Sequence, residues 1–182
     1  MRTLLAMVAA AATLLPGAPA NAGDDAGRVR FLLSAYDHIP TATDFERAAS
    51  DPVRVLLAAA EDPSLSEALR HRAIDALGAL PDERGRAYLV ETLRVAAGER
   101  HAPRVLHRVV FALVRSAGES AVSEVAPLLH HADAQTRRTV ISALATLDSD
   151  AVRALLRTHL STDPDPTVRS AIRRHTTILH SR

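Results

Sequence analysis

Cysteine, lysine and tryptophan are missing from this chain, and aromatic residues make up only 3% of its 182 residues. Without cysteine there can be no disulfide, thiol catalysis, zinc–thiolate site or lipid anchor on sulfur. The shortage of aromatics takes away residues that favour strands and leaves a core of Ala, Leu and Val. Ala and Leu are the strongest helix formers, so the composition points to an all-α protein. The missing lysine makes all 22 basic residues arginine, against 21 Asp plus Glu. Arg2 precedes every acid, so the chain beyond it is formally neutral. General nucleic-acid binding needs a basic surface that neutralises phosphates, and a neutral chain excludes it as the expected activity.

The first residues read as an address. Met1-Arg2 is a short positive start, Thr3 to Leu15 is weakly polar to apolar, and Pro16-Gly17 breaks the run. Ala20 and Ala22 then place small residues at the −3 and −1 positions of a cleavage site. This three-part pattern is that of a secretory signal peptide, cut after Ala22 to leave Gly23 first. Spanning a bilayer takes about 20 apolar residues, more than this run holds. The expectation is an exported protein, periplasmic or extracellular, with no stable membrane insertion after cleavage.

What fills the rest is repetition. Leu69 to Leu77, Val105 to Leu113, Thr136 to Leu144 and Val168 to Thr176 align, and their starts lie 36, 31 and 32 residues apart. That period fits two helices and two turns. Within the segments the apolar positions fall at i, i+4, i+7 and i+8, one face of a helix, the fourth turning polar at His175 and Thr176. Between these signature helices run second apolar-periodic stretches, through Val90, Leu93 and Ala97, through Val122, Val125 and Leu129, and through Val152, Leu156 and Leu160. Gly78, Pro81-Asp82, Gly98, Pro103, Gly118 and Asp163-Pro164-Asp165-Pro166 punctuate the chain. Pro166 suits the first position of a helix, where its missing N–H costs little. Pro127, inside a helical stretch, predicts a kink or a late start. Further towards the N-terminus, Val29 to His38, a short piece within Thr41 to Ser50, and Pro52 to Ala60 read as helices.

The segments running from Asp133 through Arg137 to Ala143-Leu144, and from Asp165 through Val168-Arg169, resemble the short bacterial HEAT-like repeat named after phycobilisome lyases. The resemblance implies an all-α superhelix of four to five helix pairs. On that reading residues 1–22 are the signal peptide, 23–61 a divergent helical cap, and 62–182 the repeats, ending in a half-repeat. Solenoid ends are atypical because one face lacks a neighbour. The resemblance implies no cofactor here: the His-Glu dyads of di-iron relatives have no counterpart, since no His-Glu dipeptide occurs. A lyase-type or ligand-binding accessory is the alternative it leaves open.

No Gly-x-Ser-x-Gly, phosphate loop or dinucleotide fingerprint occurs. The nine histidines show no pair at metal-ligand spacing on one helical face. The expected function is therefore a non-catalytic scaffold that binds another protein, with no catalytic, cofactor or metal residues assigned. Arg70, Arg137 and Arg169 recur at one repeat position, and the expectation is a ladder joining them to the acidic turns at Asp133 and Asp165. Leu106 stands in their place in the second unit, so that rung should be missing. The expected partner surface is the face of the second helices, with Glu91, Arg94, Glu124, Arg153 and Arg157 unpaired across repeats.

Overall fold

The computed structural model describes residues 22–35, 39–98 and 103–178. They form helices α1 (Ala22–Ser34), α2 (Ala42–Ala48), α3 (Pro52–Glu61), α4 (Glu67–Leu77), α5 (Glu83–Gly98) and α6 (Pro103–Ala117). A broken segment follows, in which a 3₁₀ turn Gly118–Ala121, the single turn α7 (Val122–Val125) and a second 3₁₀ turn Ala126–His130 succeed one another. Then come α8 (Ala134–Leu144), α9 (Asp150–Thr162) and α10 (Pro166–Ile178). No strand occurs among the described residues. The proposed signal sequence lies outside them, apart from Ala22.

Starts are fixed by side chains that take up free backbone N–H groups. Thr41 and Asp44 close a reciprocal capping box on α2, and Asp51, Ser66, Asp133 and Ser149 accept from the residue three ahead on α3, α4, α8 and α9. Asp165 accepts from the Thr167 amide at 2.7 Å, with Pro166 opening α10. Pro127 has no N–H to continue the α ladder, and the α turn stops at Val125. Gly118 adopts φ +56°, a left-handed conformation that ends α6 and favours glycine.

The N-terminus departs from the sequence reading in one respect. Helix α1 begins at Ala22 rather than Val29, although residues 22–28 carry no apolar periodicity. Asp24 and Asp25 occupy its first turn, where carboxylates suit the helix dipole, and Arg28 reaches back to both. Val29 and Leu33 are the apolar side chains it buries, and Asp25, also buried, accepts from the Ser50 amide and hydroxyl.

The signature helices α4, α6, α8 and α10 pack side by side in sequence, forming one row. The other row consists of α3, α5, the broken segment and α9, which meet each other far less closely. Small residues explain the close row. Ala73, Ala76, Ala112, Ala143 and Ala171 are buried along it, and a Cβ on Gly78 would stand 2.6 Å from the Ala112 Cα. Only glycine permits that approach of α4 to α6. Leu77, Leu113 and Leu144 hold the same repeat position, each fully buried, so the core runs the length of the row. Among the described residues Phe45 is the one phenylalanine or tyrosine in the buried core.

Pairing shows which helices sit together as one unit. Three signature helices pack most tightly on the helix that precedes them, as α3–α4, α5–α6 and α9–α10, whereas α8 packs at least as closely on α6 as on the 3₁₀ turn before it. The boundary drawn at 61/62 therefore falls inside a packed pair. On this pairing α10 completes a pair with α9, where a closing half-repeat was expected. The closer-packed signature row is called the inner row below, and the row of second helices the outer row.

Candidate interaction surfaces

Two surfaces and one buried cluster hold the polar residues that the sequence singles out. In the cluster, Arg137 donates from Nε and Nη2 to Asp163 at 2.8 and 3.1 Å, and His159 Nε2 lies 2.9 Å from the same carboxylate. All three are buried, and Asp163 also accepts from the Asp165 amide at 2.8 Å. Burial pushes the Asp163 carboxyl up, but Arg137, the Asp165 amide and His159 together outweigh it and hold it below the usual carboxylate range. His130 stacks edge-on against the His159 ring, with centroids 5.4 Å apart.

The Arg ladder exists with different partners from those expected. Asp133 and Asp165 are helix caps occupied by the amides of their own helices. Arg137 instead reaches Asp163 in the following turn, and its Nη1 donates to the carbonyls of His131 and Ala132. Arg169 repeats the second half of this device, donating to the carbonyls of Asp163 and Pro164. Arg70, half-buried, draws electrostatically on Asp62 without a hydrogen bond among the described residues.

The second unit shows what happens where the arginine is absent. Leu106 is buried at that position. One repeat later than Leu106, the position equivalent to Asp163 is His131, whose Nδ1 accepts from the Asp133 amide at 3.1 Å as Asp163 accepts from Asp165. Arginine and carboxylate are thus replaced together, so no buried charge is left alone. The clue in the sequence was this paired exchange, readable once the repeats are aligned.

On the second helices, charge is spent locally. Arg94 forms a two-pronged pair with Glu91 on its own helix, at 2.6 and 2.9 Å. Arg153 binds Asp148 and Asp150 around the start of α9. Glu124 was expected to be unpaired across repeats, but it accepts from Arg86 of α5 at 3.0 Å, over 38 residues of sequence. The break at Pro127 brings that about, since it leaves Glu124 on a single turn facing α5. Arg157 is exposed and makes no hydrogen bond or ion pair among the described residues.

The signature row differs. Apart from histidine, every titratable side chain of α6, α8 and α10 is arginine. Arg104, Arg108, Phe111 and Arg115 follow one another along one face of α6, and Phe111 is 44% exposed. Three of the four row helices hand an arginine to a neighbour: Arg72 of α4 to the Leu33 and Ala35 carbonyls at the α1 end, Arg108 of α6 to Asp75 of α4, and Arg138 of α8 to Thr167 of α10 at 3.1 Å. His71 and His107 hold the same repeat position on α4 and α6. Desolvation depresses both pKa values, with Arg108 adding to the effect at His71. No group of His, Asp or Glu that could hold a metal ion occurs among the described residues.

A stack of helix pairs sharing one Ala- and Leu-rich core defines an α-solenoid. Residues 99–174 match the family of HEAT repeats and residues 69–94 match the PBS lyase HEAT-like repeat. The chain is a HEAT-repeat protein of that repeat class. Among curated proteins and solved structures no similar chain is found. HEAT repeats are helical scaffolds for protein interaction and are generally non-catalytic. No helix among the described residues is long and apolar enough to cross a membrane.

Proposed function

We propose that this protein is an exported, non-catalytic scaffold that binds another protein on its helix-lined surface. The observation that carries the reading is the row of exposed side chains on α6, α8 and α10, a repeating polar surface of which the fold itself uses only part. Solenoids employ such extended surfaces for binding. Support for export comes from residues 1–22 alone, with their positive start, short apolar run and small-residue cleavage pattern. Cleavage after Ala22 would put the Gly23 ammonium at the start of α1, unfavourable beside a helix dipole, and Asp24 and Asp25 in that turn offset it.

Intact mass of the exported protein, followed by in-cell crosslinking and mass spectrometry, tests both halves. The expected mass begins at Gly23, and crosslinks should join the helical rows to one recurring protein. Full-length protein held in the membrane fraction would defeat export. A chromophore or metal carried through purification would favour the lyase-type or ligand-binding accessory instead.

A further inference from the structure

We propose that the inner face of the signature row, across α6, α8 and α10, docks an extended acidic segment of the partner protein. The proposal rests on the scaffold reading and adds the face and the chemistry. Charge is the first argument. Arg104, Arg108 and Arg115 run along one face of α6; α8 and α10 add Arg138 and Arg174, the latter at the repeat position of Phe111, and no carboxylate occurs on these three helices. The acids beside this face are already engaged, Asp75 by Arg108, Asp133 by the Thr136 amide and hydroxyl, and Asp165 by the Thr167 amide and hydroxyl, while Arg115 donates to the Asp75 carbonyl. Arg104 and Arg174 are exposed and have no hydrogen-bond or ionic partner among the described residues.

The placement of these cations works against the isolated fold. Arg104 sits in the first turn of α6, at the positive end of its dipole, with no acid in that turn. Arg104 and Arg108 are a like-charged i, i+4 pair, which disfavours a helix. An anionic partner relieves both. The partner's form follows from the geometry and from Phe111. Guanidinium groups are planar forks matched to carboxylates. Phe111, exposed between Arg108 and Arg115, offers an apolar contact in the middle of the cations. Neighbouring helix axes lie roughly 9 Å apart, so the face spans roughly 20 Å, or about six residues of extended chain. A polyphosphate is the weaker fit because the whole chain is near neutral, with 22 basic against 21 acidic residues, and so has little long-range field to hold one.

The test uses the full exported protein and a fluorescent Glu/Asp-rich peptide, about ten residues long and bearing one Leu. Single-stranded DNA and phosphatidylglycerol vesicles are run in parallel. Anisotropy should show saturable peptide binding that weakens on going from ~50 to ~500 mM salt. The Arg104→Glu/Arg174→Glu variant should lose at least about tenfold in affinity, and Phe111→Ser severalfold, while Arg157→Glu on the outer row binds as the parent does. Unfolding cannot mimic this at Arg104, because a carboxylate in the first turn of α6 favours the helix; the melting curve of Arg104→Glu alone checks it. Equal loss in Arg157→Glu, or no loss in the double variant, overturns the face. Preference for DNA or vesicles over the peptide overturns the partner chemistry. If the peptide fails to bind while crosslinks to a protein persist, the acidic segment is wrong and the scaffold stands; if crosslinks are absent, the scaffold itself falls.

Discussion

The two helical rows share one core yet are built on opposite principles. The inner row is close-packed through Ala and Gly78, unbroken within each helix, and charged with arginine alone from α6 onwards. The outer row is interrupted at Pro127, and most of its cations are paired with acids close at hand. The difference concentrates both the close packing and most of the unpaired cations on one side of the stack. It also explains why mutations should act unequally on the two rows.

The largest effect is expected in the core of the inner row. Val109 and Leu144 are fully buried. Leu144→Asp would bury a carboxylate with no partner and remove the packing of a large side chain, at a cost of about 4 kcal/mol or more. Each helix pair relies on its neighbours to cover its apolar faces, so unfolding should spread beyond one unit. Circular dichroism during urea titration should show most helical signal lost in the variant. Loss confined to about one helix pair would show that the row does not act as one unit.

Next in size is the buried cluster that joins α8 to the α9–α10 turn. Arg137→Ala leaves Asp163 buried without its cation, and breaking such a pair costs about 3–5 kcal/mol. Arg137→Leu/Asp163→His copies the Leu106 and His131 pair of the preceding unit and should recover at least about half of that loss. If the double variant is no better than Arg137→Ala, as judged by denaturant midpoint, the two rungs are not equivalent.

How much of this was legible beforehand depended on range. The repeat and its buried columns were readable because Leu77, Leu113 and Leu144 recur at one helical position. Caps at Asp133 and Asp165 and the break at Pro127 were readable because each acts within a few residues. The partner of Arg137 was missed by two residues: Asp163-Pro-Asp165-Pro presents two carboxylates, and only the backbone path decides that Asp165 caps while Asp163 turns inward. Glu124 was misjudged because its partner, Arg86, lies a whole repeat away. The inner and outer rows could not be told apart, since both kinds of helix are amphipathic and spacing between helices is set by tertiary contact.

Acid should distinguish the rows by the order in which they titrate. The histidines whose pKa is depressed, His71, His107 and His175, all sit on the inner row, and desolvation is the leading cause for each. Such a group binds a proton more readily unfolded than folded. Its contribution is complete above the unfolded value of about 6.5 and is lost as pH falls through the depressed folded value. Asp163 behaves likewise at lower pH, full above about 4 and lost below. The melting temperature should therefore be flat near pH 7.5, decline below about 6.5, and fall again in the carboxylate range. His71→Gln/His107→Gln should flatten the first decline and leave the second. A first decline unchanged in that variant would remove His71 and His107 as its source and leave His175 alone on the inner row to account for it.

The smallest effect belongs to the outer row. Arg153 holds Asp148 and Asp150, both acids almost fully exposed, and Arg157 makes no ion pair at all. Exposed pairs contribute little because water screens the charges and the long side chains lose freedom in holding them. Reversing both arginines to Glu removes two ion pairs and sets like charges together, which disfavours folding. It also places a carboxylate near the start of α9, which the helix dipole favours. The two consequences oppose each other, and the melting temperature should move by less than about 3 °C. The same reversal at Arg104 should raise stability, because there the dipole gain stands without an ion pair to lose. Calorimetry on the two variants measures the contrast directly: a larger drop from Arg153→Glu/Arg157→Glu than from any inner-row reversal would mean that the outer pairs hold the stack together after all.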